Sequence, residues 1–146
     1  MKTIERSEQV RVNTQAGASS NKMLWAGRIT SALPVAFLLV DAAMKVIKAP
    51  AVVAGTTQAG YPESVVSPLG IVLLICTILY TIPRTSILGA ILLTGYLGGA
   101  VATHVRMSDP LFSHILVPVY FGVMVWGGLY LRDSRLRSLI PLRNPA

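Results

Sequence analysis

Charge is what this sequence has least of. Of its 146 residues only 13% are Asp, Glu, Lys or Arg, against about a quarter in a typical soluble domain. Such a chain lacks the polar surface to cover a water-exposed globule. With 53% apolar residues and a mean hydropathy of +0.61, its better solvent is lipid. Cysteine is nearly absent: Cys76 alone, inside an apolar run, excludes an intramolecular disulfide, CxxC redox chemistry and a multi-cysteine metal site. It reads as a small buried apolar residue. No Walker loop, GxSxG elbow, zinc motif or dinucleotide fingerprint occurs. A stand-alone enzyme is therefore not expected, and whether the chain catalyses anything stays open.

Acidic residues are scarce as well, 6 against 13 basic ones, for a net charge of +7. In a soluble domain that excess would suggest nucleic acid. Here the basic residues lie in tails and loops around apolar segments, where they meet anionic headgroups. The bilayer is the expected partner, and nucleic acid is not.

What is present is a series of apolar segments. Residues 1–22 are polar and Ser/Gln/Asn-rich without a sustained apolar period, which predicts a disordered tail. Apolar runs at 23–47, 68–82, 87–105 and 112–131 each approach or exceed the roughly 20 residues that cross a hydrocarbon core. The first contains Pro34, expected to kink it. Between the first two, Pro50 to Gln58 suits a short interfacial helix, with Pro50 in its first turn and Gly60 beyond its end. The second and third are separated by Pro-Arg-Thr, which demands a tight antiparallel hairpin, and Thr85 or Ser86 is placed to cap the third. Residues 132–146 form a basic tail. The expectation is an all-α, integral membrane four-helix bundle spanning 23–131.

Sidedness follows from the basic residues. With four spans, the N-terminal tail, the 82–86 turn and the C-terminal tail share one side. They carry Lys2, Arg6, Arg11, Lys22, Arg28, Arg84, Arg132, Arg135, Arg137 and Arg143. Lys45, Lys48 and Arg106 fall on the other side. Basic residues are retained in the cytoplasm. Both termini are thus expected to be cytoplasmic, in a multi-pass protein of the cell inner membrane.

Polar groups within or bordering a span are costly and so mark candidate sites. Asp41 and Lys45 lie four apart on one helix face, either as a local ion pair with Lys45 reaching to the interface or as part of a proton-handling or ligand-binding site. Thr103, His104, Arg106 and Asp109 cluster at the outer end of the third span, and His114 opens the fourth. With Tyr61 and Glu63 these residues fall at one depth. They define either a polar pocket open to the outer face or ordinary interfacial polarity. The two histidines are not spaced as HxxxH or HExxH, so no metal site is expected; a haem held between them is the less favoured alternative.

Glycines are the remaining signal. In the third span Gly95, Gly98 and Gly99 leave one face nearly smooth, with Gly95 and Gly99 in GxxxG spacing. Such a face is expected to pack closely on another helix of the bundle, or alternatively on a second copy. Trp25, Tyr80, Trp126 and Tyr130 lie near segment ends, as interfacial aromatics do.

Taken in order, Lys45, AGYPE (Ala59 to Glu63), IPRT (Ile82 to Thr85), LGAILLTGYLGGAVATHVR (Leu88 to Arg106) and WGGLYLRD (Trp126 to Asp133) resemble the DoxX-like family of small four-helix bacterial membrane proteins. The resemblance covers about residues 24–140. It implies the four-helix bundle. The matching positions it singles out are Lys45, Gly60, Pro62, Pro83, Gly98, Gly99, His104 and Arg106. The wider superfamily takes its name from a small subunit of an archaeal thiosulfate:quinone oxidoreductase. The implied expectation is a small accessory subunit of a quinone-linked membrane redox system. Any electron transfer would then need a bound quinone or partner membrane subunits, since no cofactor is expected from the residues themselves. The alternatives are a non-enzymatic interaction or assembly protein, alone or as a homo-oligomer, and a carrier of a small lipophilic ligand.

Overall fold

The computed structural model describes the backbone of residues 2–139, and side-chain surroundings for 21–134, 136 and 137. Six helices follow in chain order: α1 (Lys2–Val46), α2 (Pro50–Gln58), α3 (Val66–Thr81), α4 (Ser86–Arg106), α5 (Leu116–Arg132) and α6 (Ser134–Leu139). A 3-10 turn, Glu63–Val65, leads into α3, and a π-helical turn, Leu111–Ile115, leads into α5. No strand occurs among the described residues. Four segments are long and apolar enough to cross a membrane: Asn21–Val46, Glu63–Thr81, Ser86–Arg106 and Leu111–Arg132. Helix α1 packs on α3 and α5, and α4 packs on the same two. The four long helices therefore close a ring in which α1 and α4 stand diagonally opposed.

Three expectations change in this structure. The helix of the first span continues back to Lys2, where a disordered tail over 1–22 was expected. Extending an existing helix adds one hydrogen bond per residue ordered and avoids the cost of nucleation. The second span is longer than 68–82, because Pro68 sits in the first turn of α3, where a missing N–H breaks no intrahelical bond. Thr85 does occupy the N-cap position of α4. Its hydroxyl nevertheless donates to the carbonyl of Leu79 at 2.8 Å, stitching the α3–α4 turn rather than capping the helix. Of the basic tail, residues 140–146 lie outside the described residues.

The apolar core fills one half of the bundle. Leu38 and Ala42 of α1, Leu73, Cys76 and Tyr80 of α3, Ala90, Leu93 and Leu97 of α4, and Val125 and Leu129 of α5 form it. Tyr80, expected at the interface, is fully buried. Its hydroxyl donates to the Val125 carbonyl at 2.8 Å and lies 2.9 Å from Ser31 Oγ, so the polar tip is satisfied and the ring can go inside. Room for this packing comes from Gly89, where an added Cβ would strike the Leu79–Tyr80 backbone, and from Gly128, where it would strike Ser31. Beyond Leu97, towards the other end, no residue of α4 is buried. The α4 side of that half of the bundle is open.

Candidate functional site

Three chain reversals frame the open end, and each uses the same device. After α1, the amide of Ala49 donates to Met44 O at 2.9 Å and that of Lys48 to Lys45 O at 3.2 Å. After α2, Tyr61 N donates to Thr56 O and Gly60 N to Thr57 O; after α4, Asp109 N donates to His104 O and Ser108 N to Val105 O. These are Schellman-type endings, which need a residue in the left-handed region. Lys48, Gly60 and Ser108 supply it, with φ of 53°, 82° and 57°. The turns fix where the next side chains go: Tyr61 and Asp109 both return over the bundle end.

The cavity at this end measures about 640 Å³ and lies between α1, α2, α4 and the start of α5. Its apolar wall includes Phe37, Leu38, Val52, Leu69, Leu97, Val117 and Phe121. Phe37 and Phe121 stack with ring centroids 4.6 Å apart. Its polar groups are Asp41, Lys45, Thr56, Tyr61, Tyr96, Thr103, His104, Ser113 and His114.

The charges within it are paired. Lys45 Nζ donates to both carboxylate oxygens of Asp41 at 2.5 Å, one helical turn apart, with the side chains 15% and 29% exposed. That pairing offsets the cost of holding either charge away from water. The Lys45 stem is braced by α3, since a Cβ on Gly70 would lie 2.6 Å from Lys45 Cβ. His104 Nδ1 lies 2.7 Å from Asp109 Oδ2. With Asp109 ionised, Nδ1 carries the proton, so Nε2 is the lone-pair nitrogen of the neutral ring. The His104 and His114 rings meet edge-on, with centroids 5.8 Å apart, and Ser113 Oγ lies 2.8 Å from His114 Nδ1. Among the described residues no group of three or more His, Cys, Asp or Glu side chains is arranged to hold a metal ion.

The residues singled out in the sequence thus divide. Asp41, Lys45, Tyr61, His104 and His114 line one cavity. Asp109 stands behind His104 as its orienting partner. Arg106 acts at the rim: its Nη2 donates to the carbonyl of Ala59 and its guanidinium lies 5.6 Å from the Tyr61 ring centroid. Tyr61 in turn is 3.0 Å from Thr103 Oγ1, so α4 holds the α2–α3 connection across the cavity. Glu63 does not join the cavity; it faces Lys48 at 3.4 Å in an exposed pair.

The glycine face of α4 is a correction. No atom lies within 4 Å of a Cβ built on Gly95, Gly98 or Gly99, so these residues do not pack on a neighbouring helix of the bundle. Gly95 and Gly99 line the cavity instead. Their missing side chains are what leave it open, because α1 stands diagonally across rather than against them. The close approaches are made at Gly27, Gly70, Gly89 and Gly128. Gly89 lies in the same glycine-rich span as Gly95, and Gly128 in the paired glycines of the fourth, both legible in the sequence as small packing residues, whereas Gly27 and Gly70 have no partner glycine in GxxxG register. Phe37, Phe121 and Gly70 carry no polar signal and were likewise not singled out.

Comparison with known families places this architecture. The DoxX-like family profile matches residues 29–128, which runs from the first span through Gly128 and takes in the cavity. The chain belongs to the DoxX-like family. This DoxX-like chain is a membrane protein with four helices long and apolar enough to cross a membrane. No curated protein and no solved structure matches it.

Proposed function

We propose that this DoxX-like protein binds a small lipophilic molecule with a hydrogen-bonding head, of the quinone class, in the cavity at the open end of its bundle, and serves a membrane redox system as an accessory subunit. The observation that carries this reading is the pairing of an aromatic wall with compensated polar groups. Phe37 and Phe121 offer a stacked apolar surface, while Lys45 is paired with Asp41 on the wall and His104 is oriented by Asp109 behind it. A planar ring carrying carbonyl and hydroxyl groups suits that combination: apolar faces, a donor at Lys45 Nζ and an acceptor at His104 Nε2. Because Asp41 already balances Lys45 on the wall, a neutral ligand meets no unpaired cation there. At about 640 Å³, the cavity falls within the 300–1,000 Å³ or so of small-molecule sites. With one cysteine in the chain, electrons would be exchanged by the bound molecule or a partner subunit.

The ten-to-three distribution of basic residues supports cytoplasmic termini in the inner membrane, which would turn the cavity towards the outer leaflet. The test is equilibrium binding of decylubiquinone to the full-length protein in detergent, followed by quenching of tryptophan fluorescence. Saturable quenching is expected, weakened at least tenfold in Gly99→Phe, where a side chain enters open space, and in His104→Ala. Absence of saturable binding, or binding indifferent to both substitutions, overturns the reading.

A further inference from the structure

The other end of the bundle holds a second cavity of about 340 Å³, between the α3–α4 turn, the start of the first span and the end of α5. Its charge is one-sided. Arg28, Arg84 and Arg132 line it, against the single carboxylate of Asp133. These arginines come from three separate elements and are brought together only by the fold. No ion pair joins any of them to a carboxylate among the described residues.

Arg132 is the anchored member. Its Nη2 donates to the Tyr80 carbonyl at 3.0 Å, and its guanidinium lies 4.7 Å from the Tyr80 ring centroid. That ring belongs to the core, so the cation is held at the floor of the cavity rather than free to swing into solvent. The Nε–H of Arg132 is buried and finds no hydrogen-bond partner. A buried donor left unmade costs free energy. Arg28 and Arg84 are exposed at the mouth, with Arg28 lying over Trp25 at 5.6 Å. Leu24 and Leu129 complete the wall on the apolar side.

We propose that this cavity is a binding site for a phosphate group carrying net negative charge. Three guanidiniums around a small cavity match a multivalent oxyanion. Each offers planar, paired N–H donors, which phosphate oxygens accept in parallel. The cavity lies where helix ends leave the apolar zone, so the phosphate can come from an anionic lipid headgroup or from a soluble phosphate. The shared chemistry is the oxyanion. The site is separate from the cavity that carries the proposed function and does not depend on it.

The experiment uses the full-length protein in a maltoside detergent, with binding followed by native mass spectrometry and by thermal shift. Three probes are compared: dioctanoyl phosphatidylglycerol, inorganic phosphate, and dioctanoylglycerol, which has the same chains and no phosphate. Saturable binding of the phosphatidylglycerol, weakened about tenfold in Arg84→Gln and in Arg28→Gln and falling as salt is raised, supports the site with a lipid source. Equal and arginine-dependent binding of inorganic phosphate supports it with a soluble source. Binding of phosphatidylglycerol no tighter than dioctanoylglycerol, with no response to phosphate, overturns it, as does binding that both substitutions leave unchanged. Arg84 is exposed in the turn, so Arg84→Gln keeps the fold and reads binding alone.

Discussion

Lys45 Nζ lies 2.5 Å from both Oδ1 and Oδ2 of Asp41, so a cation and an anion one helical turn apart act as a single neutral unit on the cavity wall. Removing one partner leaves the other charge half-buried and unpaired. We expect Lys45→Met to lower stability by about 2–3 kcal/mol, and Asp41→Asn combined with Lys45→Met to recover most of that loss. Reversible unfolding in mixed micelles, read by circular dichroism, measures both. Additive losses in the double variant would show that the pair is not coupled.

The glycines separate into two behaviours. An added methyl at Gly89 meets the backbone of Leu79 and Tyr80, whereas one at Gly95 meets nothing within 4 Å. Gly89→Ala should therefore destabilise by roughly 2 kcal/mol or more through overpacking. Gly95→Ala should be neutral or stabilising by up to about 1 kcal/mol, from the backbone entropy a helical glycine loses on folding. Melting temperatures of the two variants in one detergent decide it.

Tyr80 ties three helices through one hydroxyl. It donates to Val125 O of α5 and neighbours Ser31 Oγ of α1. Tyr80→Phe leaves these buried groups short of a partner, for an expected cost of about 1–3 kcal/mol. Tyr80→Phe with Ser31→Ala should cost less than the sum of the single changes, measured on the same unfolding curves.

The α2–α3 connection is held over the cavity by Arg106, which reaches Ala59 O and the Tyr61 ring. Arg106→Ala should speed amide hydrogen exchange across residues 50–61 and leave α3 and the core protected. Unchanged exchange in that segment would mean that the arginine does not restrain it.

Sidedness has its own test. Reporter fusions placed after Ala146 and within residues 50–66 are expected on opposite faces of the membrane, the first cytoplasmic. Two fusions on one face contradict three spans between them, and with that the four-span arrangement.

Much of the candidate site could be read from residue type. Asp41, Lys45, His104 and His114 stand out because polar side chains in an apolar segment need a reason, and they do line one cavity. Tyr61 joined them through depth alone. Glu63 shared that depth but turns outward to Lys48, because a helix or turn of known position still has free rotation about its own axis. Tyr80 misled for a related reason: a tyrosine near a span end suits the interface equally well until the Ser31 and Val125 acceptors are in place.

Membrane residence, the number of spans and the gathering of polar residues at one end of the bundle were determined by the sequence itself. These depend on transfer of side chains between water and lipid and on chain length per turn, both of which are local. Which glycines close a contact and which leave a void was decided only in three dimensions. Gly89 and Gly95 lie on one helix, but α3 stands against the first while the second faces the diagonal gap towards α1. The same holds for Arg28, Arg84 and Arg132, which are distant in the chain and share a cavity only because the bundle brings the middle of α1, the α3–α4 turn and the end of α5 to one level. Relative placement of helices depends on the shape of every face in the bundle at once, and no single segment carries that information.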